Sequence, residues 1–198
     1  MIFKNFLNIK KNISVKKDFL NLLKKQPQLF ETLKPTYKYS YSKKKISKYK
    51  KFTKIRVIGM GGSILGTEAI YDFLKKKIKK KIIFVNNLNS NAGYFNVKNI
   101  NLNLIISKSG NTLETIANAN TLIKNKDSNI IITENKDSYL TNLASQLKAE
   151  IFEHKNYIGG RYSVLSEVGM LPAELMNLNE SKFKQFNSLI KNKIFVNN

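Results

Sequence analysis

The stretch LNLIISKSGNTLET, residues 102–115, decides how the rest of the chain is read. Leu102 to Ile106 form a short apolar run of strand type, and a helix-like pattern begins at Thr112. Between them lie Ser107, Lys108, Ser109, Gly110 and Asn111. Hydroxyls, a cation, a flexible glycine and the free N–H groups of a helix start make a cup for an anion. Ser107, Ser109 and Thr112 describe a cradle for a phosphate monoester, held without metal. A plain cap, with Asn111 or Ser109 at the helix start and Glu114 closing a capping box, accounts for one hydroxyl and leaves the others without a role.

Outward from this stretch the same strand-to-helix alternation recurs. IRVIG (55–59), IIFVN (82–86), LNLIIS (102–107), NIIIT (129–133) and EIFEH (150–154) are short β-branched runs. Helix-length patterns lie at 63–77, 112–125 and 137–148. Apolar strands alternating with helices predict a five-stranded parallel sheet covered on both faces, an α/β fold. Residues 164–178 read as a further helical region interrupted by Pro172. Residues 1–50 are Lys-rich, with a helical pattern around Phe19, Leu20, Leu22, Leu23 and Phe30, and form an expected N-terminal arm. The sheet domain is expected over 51–178, with 179–198 a C-terminal segment that carries no motif.

Composition bounds the possibilities. A chain of 198 residues with 42% hydrophobic residues can bury a substantial core. It has no Cys, which excludes disulfides, thiolate metal sites and thiol nucleophiles. Its apolar runs are too short to span a bilayer, and the start, MIFKNFLNIKKN, lacks a secretory h-region, so the chain reads as a cytoplasmic protein with no membrane partner. The formal charge of +22 invites a nucleic-acid reading. Yet the lysines are spread along the chain without zinc-finger, basic-zipper or RNP spacing. A solvated basic surface that steers anions is the expectation, with no nucleic-acid partner.

In an open parallel sheet, ligands bind beyond the carboxyl ends of the strands. Two more segments sit there. GMGGSILG (59–66) has Ile64 where a dinucleotide fingerprint needs glycine, and Asn86 and Asn87 end the next strand without a ribose-binding acid. No nucleotide cofactor is expected, but Gly62 and Ser63 at a helix start offer donors to an anion or a polar sugar, or Ser63 simply caps the turn. IGGRYS (158–163) brings the backbone close to a ligand through Gly159 and Gly160 and presents Arg161.

GMGGSILG, SKSGNTLET and GGRYSVLSEVGMLPAEL, in this order and spacing, closely resemble the glucose-6-phosphate isomerase family. The resemblance covers roughly residues 55–177, and GGRYS sets this family apart from other sugar isomerase (SIS) proteins. It implies a SIS domain, a flavodoxin-like three-layer αβα sandwich. It also implies a hexose 6-phosphate substrate, no cofactor, no metal and a homodimer when full-length. Ser107, Lys108, Ser109 and Thr112 match the residues around the sugar phosphate, Gly62 and Ser63 the turn at the substrate, and Gly160 and Arg161 the loop facing the reacting carbons. Aldose–ketose isomerisation passes through an enediolate whose charge needs a fixed cation. A guanidinium serves because it holds its proton at neutral pH.

The family's glutamate base, its histidine and its lysine come from segments downstream of GGRYS, and no segment of this chain matches them. His154, the one histidine, does not match the family's histidine and reads as structural. Glu114, Glu167 and Glu174 do not match the base. Two expectations stand: the N-terminal half of a glucose-6-phosphate isomerase, inactive alone, or a SIS module that binds a phosphosugar without turnover. The arginine loop favours the first.

Overall fold

A computed structural model describes residues 17–18, 21–22, 24–25, 27–88, 102–124 and 126–184. They fall into two units, residues 38–180 and residues 1–37 with 181–198. Residues 38–50, expected in the arm, belong to the first unit. They are tied there by specific bonds: Ser40 N donates to Glu167 Oε1 at 2.8 Å, and Lys50 Nζ meets Glu174 Oε2 at 3.0 Å.

Five strands form one parallel sheet: β1 (Lys54–Gly59), β2 (Lys81–Val85), β3 (Leu102–Ile106), β4 (Ser128–Thr133) and β5 (Glu150–Glu153). Their order is β2-β1-β3-β4-β5, that of a flavodoxin-like sheet, the arrangement the family resemblance implied. β3 and β4 are buried almost throughout, which is why they read as unbroken runs of Leu and Ile.

The helices are α1 (Lys43–Ser47), α2 (Leu65–Leu74), α3 (Leu113–Leu122), α4 (Tyr139–Leu147) and α5 (Glu167–Leu175). Ala119 and Leu122 of α3, with Leu140 and Ala144 of α4, pack on Ile58, Val85, Ile105 and Ile131. On the opposite face Ile55, Val57, Ile82 and Leu104 meet Thr67 of α2 and Pro172 and Leu175 of α5. The result is three layers, αβα.

The expected helix bounds were generous by a residue or more at each end. Gly61–Ser63 and Lys75–Lys77 are 3-10 turns flanking α2. Pro172 does not interrupt α5 but lies inside it. A proline cannot donate to the carbonyl four residues back, here Val168 O. Thr67 Oγ1 of α2 donates to that carbonyl at 3.0 Å, so the helix continues without an orphaned acceptor.

A polar layer crosses the sheet beneath α3. Arg56 Nη1 donates to Asn103 Oδ1 at 3.2 Å and to Leu122 O at 2.8 Å, and Asn103 Nδ2 reaches Asn129 Oδ1 at 2.9 Å. Burial lowers the Arg56 pKa, and Asp127 partly offsets it.

In the second unit, Pro27–Leu33 is a 3-10 segment, and the Lys184 ammonium lies 4.7 Å from the Tyr37 ring centroid. Of the expected arm helix, Phe19, Leu20 and Leu23 lie outside the described residues, as do residues 185–198 of the C-terminal segment.

Candidate functional site

β1 and β3 are neighbours in the sheet, yet their helices leave to opposite faces, so a crevice opens where they end. Gly59 pairs in register with Ile106, which sets the starts of the two following loops level. Loop 60–64 and loop 107–112 therefore emerge side by side.

In loop 60–64, Gly61 has φ +53°, a left-handed conformation that glycine adopts without strain. Ser63 N donates to Met60 O at 3.1 Å and Ile64 N to Gly61 O at 3.0 Å. Ser63 does not cap α2: the cap residue is Ile64, with no side-chain bond. The Ser63 hydroxyl, half-buried, has no hydrogen-bond partner among the described residues.

In loop 107–112, the Ser107 hydroxyl lies 2.8 Å from Thr112 Oγ1 and 3.5 Å from Ser109 Oγ, which accepts from Asn111 N at 3.2 Å. The sequence thus brought its three hydroxyls to one point. Ser107 is buried, Thr112 half-buried and Ser109 exposed, so the cluster opens outward. Thr112 is the cap residue of α3, but its side chain makes no cap bond, being turned toward Ser107. The N–H groups of Leu113, Glu114 and Thr115 have no acceptor among the described residues. Unused donors at a helix start, beside clustered hydroxyls, suit an anion. Glu114 stands in this first turn, and its carboxylate makes no bond or ion pair among the described residues, so it closes no capping box.

Neighbouring segments hold the loop rigid. Asn111 Oδ1 accepts from Tyr139 N at 2.8 Å, and Leu140 N donates to Gly110 O at 3.1 Å. Gly110, at φ +71°, has Thr133 Oγ1 2.9 Å from where a Cβ would lie, and Ser138 closer still.

The arginine loop docks on the glycine turn. A Cβ on Gly62 would collide with the carbonyl of Gly160 and lie 3.0 Å from Arg161 N. Ser163 Oγ bridges the pair, within 2.6 Å of Gly160 O and 3.2 Å of Gly62 O. Ser163 is the residue sequence reasoning missed; a small hydroxyl directly after Arg-Tyr was its only local signal. Nothing lies within 4 Å of the Cβ position of Gly160, so that glycine faces open space. Arg161 is exposed, and its guanidinium makes no hydrogen bond or ion pair among the described residues.

Lys108 points elsewhere than into the hydroxyl cluster. Its ammonium donates to Asn156 O at 2.7 Å and lies 3.5 Å from Glu134 Oε1, while Glu134 Oε2 pairs with Lys136. The bond to Lys136, then the charges of Lys136 and Lys108, hold the Glu134 pKa below the ordinary carboxylate value. His154 is 1% exposed; its Nδ1 lies 3.2 Å from Lys155 O, so it must donate and the ring is the Nδ1–H tautomer. Burial, aided by Lys108, lowers its pKa, and Nε2 is left unpartnered. It is a buried imidazole, in keeping with the structural reading of His154. Among the described residues no group of three or more His, Asp or Glu could hold a metal ion, and no helix is long and apolar enough to cross a membrane.

Residues 10–196 match the family described as "Phosphoglucose isomerase". Glucose-6-phosphate isomerase of Methanocaldococcus jannaschii is 36% identical over 151 residues, covering 69% of this chain and 37% of the relative. Glucose-6-phosphate isomerase of Borrelia garinii subsp. bavariensis is 36% identical over 138 residues, covering 61% of this chain and 26% of the relative. The chain thus spans about a quarter to two fifths of the length of these relatives. Among solved structures, a hypothetical protein of Thermus thermophilus superposes with TM-score 0.73 at 20% identity, over 86% of this chain and 46% of that one. Tagatose-6-phosphate ketose/aldose isomerase of Escherichia coli gives 0.51 at 17% identity, over 85% and 46%. Both confirm the α/β fold.

Proposed function

The chain belongs to the phosphoglucose isomerase family, and from that premise we propose that it is the phosphate-holding, arginine-presenting portion of a glucose-6-phosphate isomerase. The reaction interconverts glucose 6-phosphate and fructose 6-phosphate through a cis-enediolate. Ser107, Ser109 and Thr112 receive the phosphate, with Lys108 in the same loop and the free N–H groups of α3 behind it. Gly62 and Ser63 line the sugar beside them. Gly160 lets the ligand approach, and the Arg161 guanidinium stabilises the negative charge that grows on the oxygens of C1 and C2.

The observation that carries this reading is the docking of Gly62 on Gly160 and Arg161. It puts the arginine loop on the glycine turn, which stands level with the hydroxyl cradle through the β1–β3 register. A module that merely held a phosphosugar would need the cradle but not an unpaired guanidinium nearby.

No carboxylate in this chain matches the family's base. Glu167 accepts from Ser40 N and Glu174 from Lys50, so both serve the scaffold. The base and the ring-opening groups belong to the remainder of a longer protein, which assembles as a homodimer, and the chain alone binds substrate without converting it.

Titration of the chain with fructose 6-phosphate tests the cradle, before and after Ser109→Ala and Thr112→Val. Each lost hydroxyl is expected to cost about 1–3 kcal/mol, or about 5- to 150-fold in affinity. Unchanged affinity in both variants overturns the assignment.

A further inference from the structure

Lys108 sits between two hydroxyl-bearing residues of the cradle, yet its charge is spent away from them. An ammonium has three N–H donors. One is given to Asn156 O at 2.7 Å, and a second faces Glu134 Oε1 at 3.5 Å. The backbones are joined as well: Glu134 N donates to Lys108 O at 3.1 Å, and Thr133 Oγ1 approaches the same carbonyl at 3.4 Å. Glu134 is braced from its other side by Lys136. The lysine stem is therefore held at both ends, and its tip reaches across β4 to the segment that follows β5.

That segment leads straight to the arginine. From Asn156 the chain makes a short turn, with Ile158 N donating to Lys155 O at 3.1 Å and the Ile158 side chain buried, and Gly159, Gly160 and Arg161 follow. The arginine loop is fixed on one side by Gly62 and Ser163. On the other side, Lys108 supplies the direct side-chain bond between the phosphate loop and the residues entering the arginine loop.

From this geometry we infer that Lys108 is a positioning residue: it sets the distance between the phosphate cradle and Arg161 and does not ligate the phosphate. The inference rests on the phosphosugar reading of the cradle. A ligand with an anionic group at each end gains from two sites held at the right separation, because the second contact is made at high effective concentration. Loosening the strut removes that gain and leaves the cradle itself intact.

The test uses two ligands on the 198-residue chain. Inorganic phosphate probes the cradle alone, and an aldonic acid phosphate, whose carboxylate stands for the enediolate oxygens, probes cradle and arginine together. In Lys108→Met, affinity for the aldonic acid phosphate is expected to fall about tenfold or more while that for inorganic phosphate changes by no more than about twofold. Lys108→Arg, which restores a cation of sufficient reach, is expected to recover most of the loss. Glu134→Gln removes the ion pair but leaves the bond to Asn156, and is expected to show the same selectivity at smaller size. The proton resonances of the single histidine report whether each variant is folded; should Lys108→Met unfold, Glu134→Gln decides by the same comparison. Equal losses for both ligands would make Lys108 a direct phosphate ligand and overturn the inference, as would no loss for either. A wild-type chain that binds neither ligand refutes the cradle reading itself, and this one with it.

Discussion

Two glycines of the site are expected to respond to alanine in opposite ways. At Gly62 the added methyl meets the carbonyl carbon and oxygen of Gly160, and lies 3.0 Å from Arg161 N. These are backbone atoms, so no side-chain rotation relieves the contact. Restoring a separation of about 3.5 Å requires the two loops to part by about 1 Å. Overpacking of this kind costs about 1–3 kcal/mol. Parting the loops also stretches the bonds of Ser163 Oγ at 2.6 and 3.2 Å, adding about 1 kcal/mol. Gly62→Ala is therefore expected to lose about 2–4 kcal/mol in urea unfolding followed by far-UV circular dichroism. At Gly160 nothing lies within 4 Å of the new methyl, and its φ is not positive. Gly160→Ala is expected to match or exceed wild-type stability by up to about 1 kcal/mol, since alanine restricts the unfolded chain. Under the proposed function its methyl enters the space assigned to the sugar, so fructose 6-phosphate affinity is expected to fall at least about tenfold. A Gly62→Ala chain with the wild-type unfolding midpoint would refute the packing account. A Gly160→Ala chain that binds as wild type would refute the placement of the sugar.

The chain alone is expected to give no measurable conversion of fructose 6-phosphate, since general base catalysis contributes about 10²–10⁴-fold. Exchange of a C1 proton of fructose 6-phosphate with deuterated solvent, persisting in wild type and lost in Glu114→Gln or Glu167→Gln, would show instead that one of these glutamates is the base. His154 makes stability pH-dependent: burial lowers its folded pKa below 6.5, so the unfolded chain takes up a proton that the folded one refuses. Stability is expected to be full above pH 6.5 and to decline as the pH falls below it, a decline that His154→Gln should lack in unfolding titrations. Glu134, held below the ordinary carboxylate value, adds its own loss only at lower pH. Thr67→Val leaves Val168 O buried without a donor and is expected to cost about 1–3 kcal/mol. In a Pro172→Ala background, where the backbone N–H returns to that carbonyl, the same change should cost clearly less, and equal costs in the two backgrounds would refute the account.

The sheet, and the strand ends after which the candidate loops lie, were legible in the sequence alone. Runs such as NIIIT and LNLII are buried on both faces, so their composition alone marks strands of a covered parallel sheet. The three unusual loops lie within a few residues of strand ends, where local chemistry (glycines for close approach, hydroxyls before a helix) is written in consecutive positions. Directions and partners, by contrast, are set by residues far away in the chain and emerge only on folding. Thr112 could have capped its own helix, but the approach of Ser107 turned its hydroxyl into the cradle. Pro172 should have broken its helix, but Thr67, more than a hundred residues earlier, takes up the carbonyl it frees. Lys108 sits among the cradle residues in sequence, while Asn156 and Glu134, brought near by β4 and β5, draw its charge away. A backbone pattern depends on neighbours one or four residues off, so periodicity reveals it. The aim of a long or polar side chain depends on which distant acceptor the fold carries within about 3 Å, and no local pattern holds that information.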